Sequence, residues 1–249
     1  MSNKKILIAN WKANPDSLKE AVFMAKKIES DLGRLNVDVV IAPPFPFLSE
    51  VGKVLKKAKL GAQDVFWAKS GPYTGEVSVN QLKNLGVKYV IVGHSERRLN
   101  LDETDEMINK KILSLLENGL KPILCTGEKE RKDSASVIKA ELQKGLKGVQ
   151  KKFLKNLIVA YEPIWAISTS PGAIADNPDN AFRIKIYIKK IISDLYGRES
   201  AEKVKIIYGG SVDSKNIKSF LKDGGMDGAL VGGASLKPEE FLKIIKEAA

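Results

Sequence analysis

Lys88-Tyr89-Val90-Ile91-Val92-Gly93, followed at once by His94-Ser95-Glu96-Arg97-Arg98, is the stretch that decides the fold. Its apolar, β-branched run lacks polar alternation, as expected of a strand buried on both faces in a parallel sheet. Gly93 and the polar residues end the run, and a helical pattern takes over. The unit recurs along the chain, with apolar runs at Lys5–Ala9, Val37–Ala42, Lys59–Gln63, Lys88–Gly93, Lys121–Thr126, Leu157–Glu162, Val204–Gly209 and Gly228–Gly232. Eight alternations in 249 residues predict an α/β protein with a closed (β/α)8 barrel, an open doubly wound sheet being the alternative.

The segments between the runs read as helices. Ser17 is expected to cap one that starts at Leu18, with Glu20 completing a capping box and Gly33 near the end. Asp102 is expected to open another, which carries Ile108, Ile112, Leu115 and Leu116 at helical spacing and stops at Gly119. Further helical stretches cover about 46–57, 78–85, 134–152, 178–196, 213–223 and 237–248. No Pro-, Ser- or Gly-rich linker divides the chain, so residues 1–249 read as a single domain.

Composition narrows the function classes. Hydrophobic residues make up 43% and charged residues 29%, which excludes collagen-like, low-complexity and wholly disordered chains. The lone Cys125 excludes an intramolecular disulfide and a Cys-rich zinc site, and its position in a strand marks it as a small core hydrophobe. No run approaches the ~18 apolar residues of a membrane span. The basic start is followed only by Ile6-Leu7-Ile8-Ala9, too short for a secretory signal, so a cytoplasmic protein with no membrane partner is expected. The net charge of +11 is spread over helical segments that also carry acids. It reads as a solvated basic surface that attracts small anions, with no nucleic-acid partner.

A barrel demands that reactive groups follow the strands, at the C-terminal face. The residues there are unusual. The first run leads into Asn10-Trp11-Lys12, the fourth into His94-Ser95-Glu96, the sixth into Glu162-Pro163, the seventh into Gly209-Gly210-Ser211 and the eighth into Gly232-Gly233. The two glycine pairs, on adjacent strands and each leading into a helix, suit a phosphate cradle of backbone N–H groups. Glu162, partly desolvated at the rim, suits a base. His94 is the only histidine; at the start of a helix, the local field disfavours imidazolium and leaves a neutral proton donor. Lys12 adds a fixed positive charge for a developing enolate or a phosphate. One histidine excludes a multi-His metal site, and the strand ends carry no cluster of acids, so no metal is expected. The set suits proton transfer beside the carbonyl of a small phosphate ester.

These residues resemble the triosephosphate isomerase family along nearly the whole chain. The stretches that carry the resemblance are Ala9-Asn10-Trp11-Lys12, Gly61-Ala62-Gln63, Tyr73-Thr74-Gly75-Glu76, Gly93–Arg98, Cys125-Thr126-Gly127-Glu128, Ala160–Ile167, Tyr208–Val212 and Leu230–Ser235. The resemblance implies a TIM barrel that interconverts dihydroxyacetone phosphate and glyceraldehyde 3-phosphate without a cofactor. Glu162 would be the base; His94 and Lys12 would polarise the carbonyl and stabilise the enediolate; Asn10 would help to position the substrate, and Glu96 would be the second carboxylate near the site. Backbone N–H groups of Ser168, Ser211, Gly232 and Gly233 would hold the phosphate. The chain departs from the family pattern in the lid, where Ser168-Thr169-Ser170-Pro171 stands for Gly-Thr-Gly-Lys, and at Leu101-Asp102, which stands for Phe-Gly, while Glu103 and Asp105 match.

Asp64–Ser78 is long for a loop between a strand and a helix, and it carries Phe66, Trp67 and Tyr73. Such a loop is functional or covered by a partner. In the family it inserts beside a second subunit's site, with the threonine reaching across, which implies a homodimer and a role for Thr74. A barrel that binds phosphate esters without catalysis, or acts on another phosphate ester, is the competing reading.

Overall fold

The computed structural model describes residues 4–33, 35–167 and 175–249. Eight parallel strands form a closed barrel in chain order: β1 (Lys5–Asn10), β2 (Val37–Ala42), β3 (Lys59–Ala62), β4 (Tyr89–Val92), β5 (Lys121–Thr126), β6 (Ile158–Tyr161), β7 (Lys205–Tyr208) and β8 (Gly228–Val231). The ring closes where β1 pairs with β8, Ile6 opposite Gly228 and Ala9 opposite Val231. The expected runs match these strands closely because both faces of each strand are buried. Ile6, Ile8, Ile91, Ile123, Ala160 and Ile207 point into one cluster inside the barrel. Leu7, Val39, Val90, Leu124, Val159 and Ile206 belong to a second cluster, which includes the inner faces of the helices.

The helices among the described residues are α1 (Leu18–Asp31), α2 (Leu48–Val54), α3 (Val79–Asn84), α4 (Ser95–Asn100), α5 (Asp105–Glu117), α6 (Ser134–Gly145), α7 (Pro178–Tyr196), α8 (Arg198–Glu202), α9 (Ile217–Lys222) and α10 (Pro238–Ala248). Ser17 caps α1 by accepting from the Glu20 N–H at 3.2 Å, but the reciprocal box forms instead at Ser78 and Gln81 of α3. Asp102 does not open α5. It sits at φ +51, a left-handed conformation that Asp tolerates better than most residues, and Thr104 caps the helix. The helix expected over 213–223 shrinks to α9 because Asp213 accepts from the N–H groups of Lys215 and Asn216, an Asx turn that takes up the first turn. The stretch expected over 134–152 ends at Gly145, and a separate 3-10 turn follows at Lys151–Asn156.

Gly228 lies on the closing seam. A Cβ there would sit 1.8 Å from the Ile6 carbonyl oxygen, so the two backbones leave no room for a side chain. Gly228→Ala should therefore cost about 3 kcal/mol or more, at or beyond the upper end of ordinary overpacking. Urea unfolding checks this; a wild-type midpoint would contradict the seam geometry.

Candidate active site

Parallel pairing sends every strand's C-terminal end to one rim, and a cavity of about 290 Å³ opens there. Asn10, Lys12, His94, Glu162, Ser211, Gly232 and Gly233 all line it. Glu96 stands beside it, with Oε1 2.5 Å from Lys12 Nζ. Thr74 does not line it; it is exposed on the loop after β3, whose Phe66 stacks on Trp67 and packs against Tyr73. Ser168 and the rest of the lid departures, Thr169, Ser170 and Pro171, lie outside the described residues.

The local backbone positions each group. β1 ends at Asn10, and the next turn puts Lys12 at φ +53, a conformation uncommon outside glycine. Asn10 Oδ1 accepts from the Lys12 N–H at 3.0 Å, and Gln63 Nε2 donates to the Lys12 and Ala42 carbonyls at 2.8 and 2.9 Å. These bonds hold the strained turn so that the ammonium faces the cavity. His94 follows β4 and caps α4. Its Nδ1 accepts from the Glu96 N–H at 3.2 Å, so that nitrogen carries no proton. The proton of a neutral ring then sits on Nε2, which lies 3.3 Å from Glu162 Oε1. Glu162 follows β6 and is almost wholly buried; its Oε2 accepts from the Ser95 N–H at 3.3 Å. Cys125, at the end of β5, is fully buried, and burial pushes its thiol well above the usual range.

The glycine-rich ends of β7 and β8 meet across the cavity. Gly233 begins a 3-10 turn, whose first N–H groups have no partner within the turn. Ser211 differs from expectation in one respect. Its N–H and Oγ both donate to the Ala166 carbonyl, at 3.3 and 2.7 Å, so that backbone donor is occupied in this conformation.

A family model described as triosephosphate isomerase matches residues 5–248. The chain belongs to the triosephosphate isomerase family. Among the relatives, the triosephosphate isomerase of Dictyoglomus thermophilum is 46% identical over 249 residues, covering 98% of this chain and 99% of its own length. That of Alkaliphilus oremlandii is 45% identical over 248 residues, covering 97% and 98%, and that of Carboxydothermus hydrogenoformans is 45% identical over 249, covering 98% of each. Among the described residues, no group of three or more His, Cys, Asp or Glu could hold a metal ion, and no helix is long and apolar enough to cross a membrane.

The sequence reading assigned no role to several supporting residues of this triosephosphate isomerase family member, because their partners are distant in sequence. Gln63 is one. Glu128 is another: its Oε1 accepts from the Tyr161 hydroxyl at 3.0 Å and from Trp165 Nε1 at 2.8 Å, and burial pushes its carboxyl up. This bracket secures the turn that leaves Glu162. A third group lies behind α4. Lys111 of α5 is paired with Asp64 at 2.7 Å and with Glu103, while Arg97 reaches Asp64 at 2.8 Å and Glu103 at 3.0 Å. Lys111 and both carboxylates are buried, and desolvation pushes the Asp64 carboxyl up against the pull of Lys111. Removing one partner of such a cluster leaves an uncompensated buried charge. Lys111→Met keeps the volume and should cost about 3–5 kcal/mol. Denaturant titration measures it; a loss under about 1 kcal/mol, the worth of an exposed pair, would contradict the buried pairing.

Proposed function

We propose that the cavity interconverts dihydroxyacetone phosphate and D-glyceraldehyde 3-phosphate through an enediolate, as a step of glycolysis and gluconeogenesis in the cytoplasm. The observation that carries this reading is the placement of the one histidine: Nδ1 is occupied by a backbone N–H, and Nε2 stands 3.3 Å from the buried Glu162 carboxylate. Glu162 takes a proton from the carbon beside the carbonyl, and the electron pair left behind forms the enediolate. His94 Nε2–H donates to the oxygen on which charge develops, and Lys12 stabilises the same charge. Glu162 then returns its proton to the neighbouring carbon, while His94 relays a proton between the two oxygens. Asn10 helps to position the substrate through the turn it shares with Lys12, and Glu96 anchors the ammonium. Ser211, Gly232 and Gly233, with Ser168, hold the phosphate. These proton transfers need no cofactor and no metal.

The working form in this reading is a homodimer. The loop after β3 exposes Tyr73, and a mostly apolar cavity lined by Phe45, Leu48, Val77 and Leu85 opens beside it. In the dimer the loop enters the partner, and Thr74 reaches the partner's site.

Two measurements check the reading. Glu162→Asp withdraws the carboxylate by about one methylene, and a ~1 Å misplacement costs on the order of 10²-fold. The expected result is a kcat lowered on that order with KM changed much less, because the phosphate is gripped by other loops, those after β7 and β8; a near-wild-type kcat would refute the assignment. Light scattering on active protein at micromolar concentration should give about twice the 27.3 kDa of one chain. A fully active monomer would refute the dimer.

A further inference from the structure

His94 and Glu162 leave different strands, and the end of β5 lies between them. Glu141 of α6 reaches that end from outside the barrel, its side chain only 12% exposed. Its Oε2 accepts from the Thr126 hydroxyl at 2.7 Å and from the Gly127 N–H at 3.2 Å. Its Oε1 lies 3.4 Å from Arg98 Nη1. Arg98 in turn donates from Nε to the carbonyl of Gly93 at 2.8 Å, and Gly93 directly precedes His94. Arg98 Nη2 is buried without a partner among the described residues, so Nε and Nη1 carry its grip.

The other arm of Glu141 ends under the base. The Thr126 carbonyl accepts from the Glu162 N–H at 2.8 Å. A Cβ at Gly127 would sit 1.9 Å from the Glu162 carbonyl oxygen, so these backbones are in direct contact. One buried carboxylate is thus tied through Arg98 to the residue before His94, and through Thr126 and Gly127 to the backbone of Glu162. Burial pushes the Glu141 carboxyl up while Arg98 opposes the shift.

We propose that Glu141 is a positioning residue for the isomerisation, a clamp that sets the spacing between His94 and Glu162. The proposal rests on the roles assigned to those two residues above. Spacing matters because proton transfer is steep in distance, a ~1 Å error costing on the order of 10²-fold. The phosphate cradle lies on β7 and β8, away from the clamp, so substrate binding depends on it little. Asp105 Oδ1 also holds Arg98 Nη1, at 2.7 Å, so the guanidinium keeps a counter-charge when Glu141 is changed.

The test compares Glu141→Leu, Glu141→Gln and Thr126→Val with wild type. Leu removes both acceptor oxygens, and kcat is expected to fall about tenfold or more with KM within about twofold. Gln keeps one oxygen for Thr126 and Gly127 but turns its NH2 toward Arg98, so it cuts only the arm toward His94 and should leave kcat between the Leu variant and wild type. Thr126→Val removes a single donor at nearly constant volume and should lower kcat several-fold, which keeps the test open if the Leu variant does not fold. A second readout needs no turnover. The chain has one histidine, so 15N-labelled histidine gives the ring signals of His94 alone. They should move in the Leu and Gln variants, which lose the contact with Arg98, and less in the Val variant, which keeps it. Folded Leu or Val variants with wild-type kcat and unmoved His94 signals would overturn the proposal, whatever their Tm. So would a kcat loss without movement of those signals, or a Gln variant as impaired as Leu. If wild-type protein did not isomerise triose phosphates, the functional reading would fail, while the His94 signals would still decide whether the clamp exists.

Discussion

The site depends on closure of the parallel ladder. β1 must pair with β8 as well as with β2, and once it does, eight strand ends share one rim. Groups separated by about three-fifths of the chain, such as Lys12 and Glu162, then line one cavity without any element devoted to bringing them together. The seam accepts no side chain at Gly228, so tight backbone contact on the far side of the barrel underlies the geometry of the rim. Burial of every strand on both faces supplies the driving force, through one cluster inside the ring and another beneath the helices.

At the rim, backbone capping and chemistry share atoms. His94 spends Nδ1 on the first turn of α4, and that use leaves Nε2 to carry the proton of the neutral ring. Ser95, next in the chain, offers its N–H to the Glu162 carboxylate. A short helix therefore sets which nitrogen of His94 is occupied and anchors the Glu162 carboxylate. Lys12 shows the same economy: its left-handed turn is held by Asn10 and Gln63, and its charge is held by Glu96. The positive φ is strain of the kind that concentrates at functional sites.

Much of this was legible in the sequence, for a physical reason. A strand buried on both faces must be apolar throughout, so its limits show in the residues themselves, and Val37–Ala42 and Lys121–Thr126 are found as expected. The residue types at the strand ends were legible because an Asn, a Lys, a His and a Glu after such runs have no packing role to explain them. Helix starts were harder. Asp102 is a good capping type, but the N–H groups of Leu101 and Glu103 both donate to the Arg97 carbonyl, and that turn takes up Asp102 and leaves the cap to Thr104. The supporting shell was not legible. Gln63 and Glu128 stand in stretches that carry the family resemblance, but the groups they bond lie 51 and 37 positions away; Lys111 and Glu141 act on residues 47 and 15 positions away, and nothing in their neighbourhoods distinguishes them from surface residues. The place of Ser211 at the cavity was legible, but the occupation of its N–H by Ala166 was not.

In the proposed reaction Glu162 moves a substrate proton through an enediolate. The most direct measurement is turnover of dihydroxyacetone phosphate in deuterium oxide, followed by NMR of the product. A proton held on a carboxylate between removal and return exchanges with solvent, so deuterium is expected on the carbon beside the carbonyl of the product, with the exchange lost in Glu162→Gln. Conversion with no solvent label, as in a direct hydride shift between the carbons, or unchanged exchange in Glu162→Gln, would contradict it.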